Sequence, residues 1–312
     1  MKARRILAIV GPTASGKTAL SLLVAEILKG EIVSADSRQI FKYLDIGTAK
    51  PTRAERKRVP HHFVDFLDPK EEYNVGLFGD DVKKVVNDVF DRGKVPILVG
   101  GSGLYIKSAI DGLFGGPGRD PEIRARLEDQ LQTEGLEPLL DTLGKVDPIV
   151  LQKMKEITPR RVIRALEVFF IAGKPLSEYH SEQGKIPDYQ AIQFGLEWER
   201  KRLYARINQR VDRMISDGLM DEVQELVGMG YDRHLNALNT VGYKEVFDYL
   251  EGTVNLETMI ELIKRNTRRF AKRQITWFKA DKRIRQIPMM ETHDLAAAAR
   301  IITDGYRKEI AM

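Results

Sequence analysis

The chain has 312 residues, 43% of them hydrophobic and 30% charged, which suits a soluble protein with one large domain or two smaller ones. It contains no cysteine, and this excludes disulfides, cysteine–zinc sites and a thiol nucleophile, and fits a reducing compartment. The net charge is only +5, from 50 Lys and Arg against 45 Asp and Glu, so any polyanion-binding surface must be sought in local charge rather than in the total.

Taken in chain order, Arg4-Arg5-Ile6-Leu7-Ala8-Ile9-Val10 reads as a short buried strand. Its apolar run is far too short for a signal peptide or a membrane span, and no later run reaches the roughly 18 residues a span needs, so a cytoplasmic protein is expected. Gly11-Pro12-Thr13-Ala14-Ser15-Gly16-Lys17-Thr18 comes next and fits G-x-x-x-x-G-K-[ST]. Residues 19–28 then read as a helix. Strand, glycine loop and helix in that order are the context of a phosphate-binding loop. Backbone N–H groups and a helix N-terminus hold negative oxygens. Lys17 adds a point charge, and the Thr18 hydroxyl can ligate Mg²⁺. The loop specifies phosphate or diphosphate; it does not specify ATP.

Residues 31–36 read as a second strand that ends in Asp36. That carboxylate can be a general base, a Mg²⁺ ligand or an N-cap of the next segment. A helical stretch over about 77–91 leads to residues 94–99, a third buried strand, which runs into Gly100-Gly101-Ser102. This alternation predicts an α/β fold, a parallel sheet flanked by helices, with ligands at the carboxyl ends of the strands. Residues 11–18, Asp36 and residues 100–102 should therefore meet in one crevice. A nucleotide-hydrolysing protein usually ends such a third strand in an acid that holds Mg²⁺ through water. Here it ends in glycines, which let the backbone approach a ligand closely. Ser102 can donate to a diphosphate oxygen or cap the next helix.

Residues 115–187 read differently. Gly115-Gly116-Pro117-Gly118 is a break, and helical segments come after it at about 121–133, 136–143, 148–155 and 159–172, closed by Gly173-Lys174-Pro175. The expected division is a catalytic core of 1–114 and 188–312 carrying a helical insertion domain of 115–187. A strand returns at 189–196, and a short one is expected at 284–287. The rest reads as helix.

The basic excess is local. Residues 257–285 hold ten Lys and Arg against three Asp and Glu, leaving the remainder slightly acidic. Projected as a helix, 257–279 places Met259, Ile263, Phe270 and Trp277 on one side, with Lys264, Arg265, Arg268, Arg269, Lys272 and Lys279 on the other. An acid-free basic face favours a phosphate backbone. Arg160, Arg161 and Arg164, early on an insertion helix, are a candidate second patch; 160 and 164 share a face. The two tryptophans are expected to pack rather than to stack on bases. Five scattered histidines and no H-E-x-x-H leave no zinc site.

Several stretches together resemble the tRNA dimethylallyltransferase family: the loop at 11–18, Ser34-Ala35-Asp36-Ser37-Arg38-Gln39, Asp45-Ile46-Gly47-Thr48-Ala49-Lys50-Pro51 and Leu98-Val99-Gly100-Gly101-Ser102-Gly103-Leu104-Tyr105. Arg164-Ala165-Leu166-Glu167-Val168, Val241-Gly242-Tyr243 and Ala271-Lys272-Arg273-Gln274-Ile275-Thr276-Trp277-Phe278 extend the likeness from residue 11 to 278. The resemblance implies transfer of a dimethylallyl group from dimethylallyl diphosphate to the exocyclic amine of the adenine immediately 3′ of the anticodon. It implies Mg²⁺ as cofactor, with Thr18 as its ligand, and a monomer that binds the tRNA anticodon stem-loop and no membrane. It matches Gly11, Thr13, Ala14, Ser15, Gly16, Lys17 and Thr18, with Arg210, to the diphosphate site. Asp36, Ser102, Lys17 and Arg210 become the catalytic set, with Asp36 the base; Ser102 stands where the family usually has Thr. The implied tRNA contacts are Asp36, Ser37, Arg38, Gln39, Ser102, Arg124, Arg160, Arg161, Arg164, Val241, Gly242, Tyr243, Lys244, Arg268, Lys272, Arg273, Gln274 and Trp277. The target base would have to be flipped out of its loop. Many eukaryotic members carry a C-terminal zinc finger; a chain without cysteine looks like the bacterial form. The rivals are a small-molecule kinase, an adenine-nucleotide prenyltransferase, or a non-catalytic RNA-binding protein. Neither of the first two needs the basic helix, and an intact Lys17-Thr18 argues against the third.

Overall fold

A computed structural model of the chain describes residues 4–112, 116–181, 187–291 and 294–311. The chain separates into two compact units, Met1–Ile110 with Pro187–Met312, and Asp111–Ile186. The expected division between 114 and 115 lies outside the described residues.

The first unit begins with β1 (Arg4–Val10), α1 (Lys17–Leu28), β2 (Gly30–Ala35), α2 (Arg53–Arg58), β3 (His61–His62), α3 (Val75–Asp91), β4 (Val95–Gly100) and α4 (Gly103–Asp111). The second holds α5 (Pro121–Glu134), α6 (Glu137–Val146), α7 (Pro148–Lys153), α8 (Pro159–Ala172) and α9 (Leu176–Ser181). The chain then returns with β5 (Tyr189–Trp198), α10 (Arg200–Ser216), α11 (Leu219–Gly228), α12 (Tyr243–Leu250), α13 (Leu256–Ala280), β6 (Arg285–Met289) and α14 (Leu295–Ala311).

Six strands form one parallel sheet in the order β3-β2-β4-β1-β5-β6. Helices cover both faces, which is why β1 is a nearly continuous apolar run rather than an alternating one. Leu7 and Ile9 point into one core with α1, α14 and the start of α10. Ile6, Ala8 and Val10 point into the other with α3 and α4. A third cluster binds the 40–44 loop to α10, α11, α12 and α13. In the second unit, Leu127, Leu139, Leu143, Ile163 and Leu166 build a separate core. Asp147 caps α7 through Val150 N–H at 3.0 Å and holds Ser177 N–H at 2.8 Å, which fixes the start of α9.

Sequence patterning located closely the long elements that it bounded. It missed the short α2, β3 and α9, and gave no bounds for α4, α10, α11, α12 and α14. β3 is two residues long and pairs with Ile32 and Val33 of β2. Its histidines are turned to different partners: His61 to Val59 O and His62 to Glu31.

Candidate active site

Because the strands run parallel, the loops after β1, β2 and β4 emerge at one edge of the sheet. Residues 11–18 leave β1 with Ala14 at φ 61° and Gly16 at φ 93°, a left-handed kink that wraps the loop onto the N-terminus of α1. No side chain caps α1, so its first N–H groups face the crevice free for an anion. Lys17 Nζ donates to Pro12 O at 2.7 Å, which folds it over the loop. The loop is also gripped from behind. Trp198 Nε1 donates to Ser15 O at 3.0 Å, and Arg206 Nε donates to Ala14 O at 2.9 Å while lying 4.4 Å over the Trp198 ring.

Lys17, Arg210 and Asp36 form one electrostatic group. Burial pushes the Lys17 amine down to about 7, and the nearby Arg210 charge adds to this while Asp36 opposes it. Arg210 is lowered chiefly by burial, with Asp36 pulling the other way and Arg213 adding to the fall. One carboxylate faces two desolvated basic groups, whose charged forms a diphosphate would favour.

Asp36 comes directly after β2. Its Oδ1 accepts from Arg38 N–H at 2.9 Å and from Gln39 N–H at 3.4 Å. Its Oδ2 accepts no hydrogen bond among the described residues. The capping and catalytic readings of Asp36 are therefore compatible: one oxygen orients the group and the other is available. Ser102 sits beside it. Its Oγ accepts from Ser37 N–H at 3.2 Å and donates to Ser37 Oγ at 3.4 Å, and its N–H reaches Ala35 O at 3.3 Å. Ser102 thus knits the ends of β2 and β4 together. Tyr105, on α4, is pushed up to about 12 by burial, with Arg38 and Asp36 as its charged neighbours.

The structure corrects several expectations. Gln274 is 7% exposed and bonds within the protein. Its Oε1 accepts Thr13 N–H at 2.8 Å and its Nε2 donates to Gly101 O at 2.9 Å. It pins the phosphate loop to the end of β4, and its side chain does not face an RNA. The Thr13 N–H is thereby taken and is not free for a diphosphate. Gly101 and Gly103 leave room for α13 rather than for a ligand: a Cβ on Gly101 would strike Gln274, and one on Gly103 would strike the Trp277 indole. Tyr243 is 0% exposed, so its side chain cannot touch RNA either. It donates to Glu222 Oε1 at 2.6 Å, and its ring fills the space beside Gly47. The projection of α13 is corrected too. Met259 and Ile263 are buried, but Ala271, Gln274 and Phe278 complete the packed face, while Phe270 and Trp277 are exposed, Trp277 by 47%. Trp198 packs as expected.

The basic face is smaller than the sequence implied. Lys264 pairs with Asp212 at 2.8 Å, Lys279 with Glu197 at 2.9 Å, and Arg268 donates to Asn208 Oδ1 at 2.7 Å. Arg265, Arg269 and Lys272 are at least partly exposed and pair with no acid among the described residues. Arg273 is exposed and lies over Phe270, and Lys244 is exposed on α12. Val241 is half-buried, and Gly242 is buried with φ 100°, its N–H held by Glu245 at 2.7 Å. Arg38 donates to Asn236 O, and Gln39 Nε2 donates to Thr48 O and Ala49 O at 3.2 Å each.

In the second unit, Arg164 and Arg124 converge on the fully buried Glu167, at 2.8 and 3.7 Å. Arg164 also donates to Pro117 O at 2.7 Å and Gly118 O at 3.0 Å, and Arg161 donates to Glu156 O at 2.8 Å. Arg160 is exposed.

Sequence reading missed Arg206 and Glu222, and the bond from Trp198 to the phosphate loop. Arg206 was findable, since it lies one helical turn before Arg210 on α10. Glu222, on α11, accepts from the N–H groups of Asp45, Ile46 and Gly47 at 2.9, 2.6 and 3.1 Å as well as from Tyr243. No local pattern marks it.

A family model described as IPP transferase matches residues 39–281. The chain is 46% identical over 302 residues, 96% of each chain, to a tRNA dimethylallyltransferase of Pelotomaculum thermopropionicum. The chain belongs to the IPP transferase family. A second relative of that name, from Carboxydothermus hydrogenoformans, is 48% identical over 284 residues, 90% of this chain and 91% of its own. Among solved IPP transferases, the tRNA isopentenylpyrophosphate transferase of Bacillus halodurans superposes with a TM-score of 0.72 at 38% identity, covering 99% of this chain and 98% of that one. A eukaryotic dimethylallyltransferase described as acting on tRNA gives 0.79 at 29% identity, covering 96% of this chain and 78% of that one. The family's α/β sheet with flanking helices is thus the fold of this chain. Among the described residues, no helix is long and apolar enough to cross a membrane.

Proposed function

We propose that this chain transfers a dimethylallyl group from dimethylallyl diphosphate to the exocyclic N6 amine of the adenine immediately 3′ of the anticodon in tRNA, as a monomer in the cytoplasm. One observation carries the chemistry. A phosphate cradle without a hydrolytic acid stands in electrostatic contact with Asp36, whose Oδ2 accepts no hydrogen bond among the described residues.

The α1 N-terminus, Lys17 and Arg210 hold the donor's diphosphate. The adenine amine attacks the first carbon of the dimethylallyl group as the carbon–oxygen bond to the diphosphate breaks, and the electron pair leaves with that oxygen. The amine carries a positive charge as the bond forms, and Asp36 Oδ2 accepts its proton. Lys17 and Arg210 stabilise charge that develops on the leaving oxygen inside a desolvated site, where such interactions are strongest. Ser102 and Ser37 hold Asp36 in place through the joined ends of β2 and β4.

The donor set fits Mg²⁺. No group of three or more His, Cys, Asp or Glu able to hold a metal occurs among the described residues. The Thr18 hydroxyl is a hard oxygen donor that makes no hydrogen bond among them. Mg²⁺ keeps most of its water and binds substrate phosphates with few protein ligands. Thr18 would supply that single protein oxygen, and the ion would neutralise the leaving diphosphate.

The exposed face of α13, with Arg265, Arg269, Lys272 and Arg273, and the α5–α9 unit with Arg160 bind the anticodon stem-loop. The deciding experiment incubates the protein with Mg²⁺, radiolabelled dimethylallyl diphosphate and unmodified tRNA, in parallel with AMP and ATP. Label in tRNA and not in AMP is expected. Label in AMP alone, or ATP consumption without transfer, overturns the proposal.

A further inference from the structure

A cavity of about 610 Å³ lies against the phosphate loop, apart from the group built around Asp36. It touches the loop only at Gly11 and Pro12; Lys17, Asp36 and Arg210 are not in its wall. Trp198, Leu203, Tyr204 and Ile275 give it aromatic and aliphatic sides, and Gln286 and Glu197 add hydrogen-bonding groups. From α13 it takes Lys272, Thr276 and Lys279. Lys279 is held by Glu197 at 2.9 Å, whereas the Lys272 ammonium pairs with no acid among the described residues; its carbonyl accepts from the Thr276 hydroxyl at 3.0 Å.

That combination has a chemical reading. The volume suits a small organic ligand. Flat aromatic and aliphatic walls take a planar heterocycle, the amide and carboxylate can read its edge, and an unpaired cation takes a phosphate. The helix that contributes Lys272 also carries Arg265 and Arg269, so a backbone running along α13 would pass over the cavity.

We propose that this cavity binds a nucleotide, its base inside and its phosphate on Lys272, and that the nucleotide is an unpaired one of the RNA substrate other than the reacting adenine. The RNA source rests on the function proposed above; the pocket chemistry does not.

The chain has two tryptophans, and Trp198 is the one in this wall. Trp277→Phe therefore makes Trp198 emission a reporter of occupancy. That protein is titrated with an anticodon stem-loop RNA and separately with AMP, with RNA binding followed independently by filter retention. Thr276→Phe in the same background narrows the cavity from an exposed helix position and should not disturb folding, which circular dichroism checks. A saturable emission change with RNA, weakened at least tenfold by Thr276→Phe while the donor KM is unchanged, is expected. An AMP response that Thr276→Phe removes, with no RNA retained, would keep the nucleotide pocket and overturn its assignment to RNA along with the proposed substrate. RNA retained with no emission change, or a change indifferent to Thr276→Phe, would overturn the pocket.

Discussion

Glu222 offers the sharpest test of how the site is held. Its carboxylate accepts three backbone N–H groups from residues 45–47 and the hydroxyl of the fully buried Tyr243. That loop presents Thr48 O and Ala49 O to Gln39, and the Gln39 N–H reaches Asp36 Oδ1. Hydrogen bonds to a charged acceptor contribute about 1.5–3 kcal/mol each when intact. Glu222 is half-exposed, so water replaces part of what is lost at the loop, but the Tyr243 hydroxyl is left without a partner in the interior. The net cost of Glu222→Ala is then about 2–4 kcal/mol, or on the order of 3–6 °C in melting temperature. Glu222→Gln should recover little, because the two carboxylate oxygens each accept from different donors and an amide turns an NH₂ toward one pair. Tyr243→Phe removes one of these bonds and should cost about 1.5–3 kcal/mol. Loosening the loop displaces Asp36, so kcat for transfer should fall roughly tenfold to a hundredfold. The donor KM should hold, since the phosphate loop is anchored elsewhere. Thermal melts and steady-state transfer assays measure both. A melting temperature and kcat within error of the parent would refute the clamp.

Four further outcomes are expected. Asp36→Asn retains an oxygen for the Arg38 N–H yet cannot take a proton, so single-turnover transfer should fall about 10²–10⁴-fold with tRNA binding retained; a change under threefold would remove Asp36 as the base. Gln274→Leu frees Thr13 N–H and strands Gly101 O, a loss of about 1–3 kcal/mol, and should raise the donor KM about fivefold or more, whereas an unchanged KM would show that the loop holds itself. Lys17 sits near 7 in the fold against 10.5 as a free lysine, so above pH 7 the unfolded chain binds a proton that the folded site does not. The site therefore disfavours folding most below pH 7, and the penalty fades as pH rises toward 10.5. A bound diphosphate restores the charge, so donor binding at pH 8 should take up about one proton, and calorimetry in buffers of different ionisation heat that shows none would contradict it. Arg265→Glu with Arg269→Glu changes surface cations that pair with no acid among the described residues and should lower the salt slope of tRNA binding by about one unit or more with the melting temperature held; an unchanged slope would move the RNA surface off α13.

The legibility of each feature in the sequence depended on the range over which it is built. The phosphate loop, the strand ends and the family stretches are local patterns, and β1, β2, β4 and α8 lie where periodicity and glycines put them. The family and its reaction were legible for the same reason. Residue roles were less so, because a motif names positions without saying which way a side chain turns. Gln274 and Tyr243 sit inside family stretches and look like substrate contacts, yet both are spent on internal bonds to residues far away in sequence. Phe270 and Trp277 fall on the packed side in a strict 100° projection. Ala271, Gln274 and Phe278 hold that side instead, with Gln274 fitted against Gly101 in the tight turn after β4. Lys264 looked like a free cation because its acid, Asp212, is on another helix.

The electrostatics give these internal bonds a purpose. Lys17 and Arg210 are both held below their ordinary proton affinity, and Asp36 is the one carboxylate that compensates them. Before the donor binds, Asp36 faces the Arg210 cation and a Lys17 amine that holds its proton only below about pH 7. On the function proposed above, a diphosphate held by these groups would take over the compensation and leave the carboxylate to the incoming amine. That reading expects donor before acceptor. It also requires that the carboxylate not collapse onto the cations beforehand. The bonds from Arg38 N–H and Gln39 N–H to Oδ1, the Ser37–Ser102 link across the strand ends and the Glu222 clamp behind Gln39 all oppose that collapse. Residues that resemble substrate contacts in the sequence thus also fix the Asp36 carboxylate from behind.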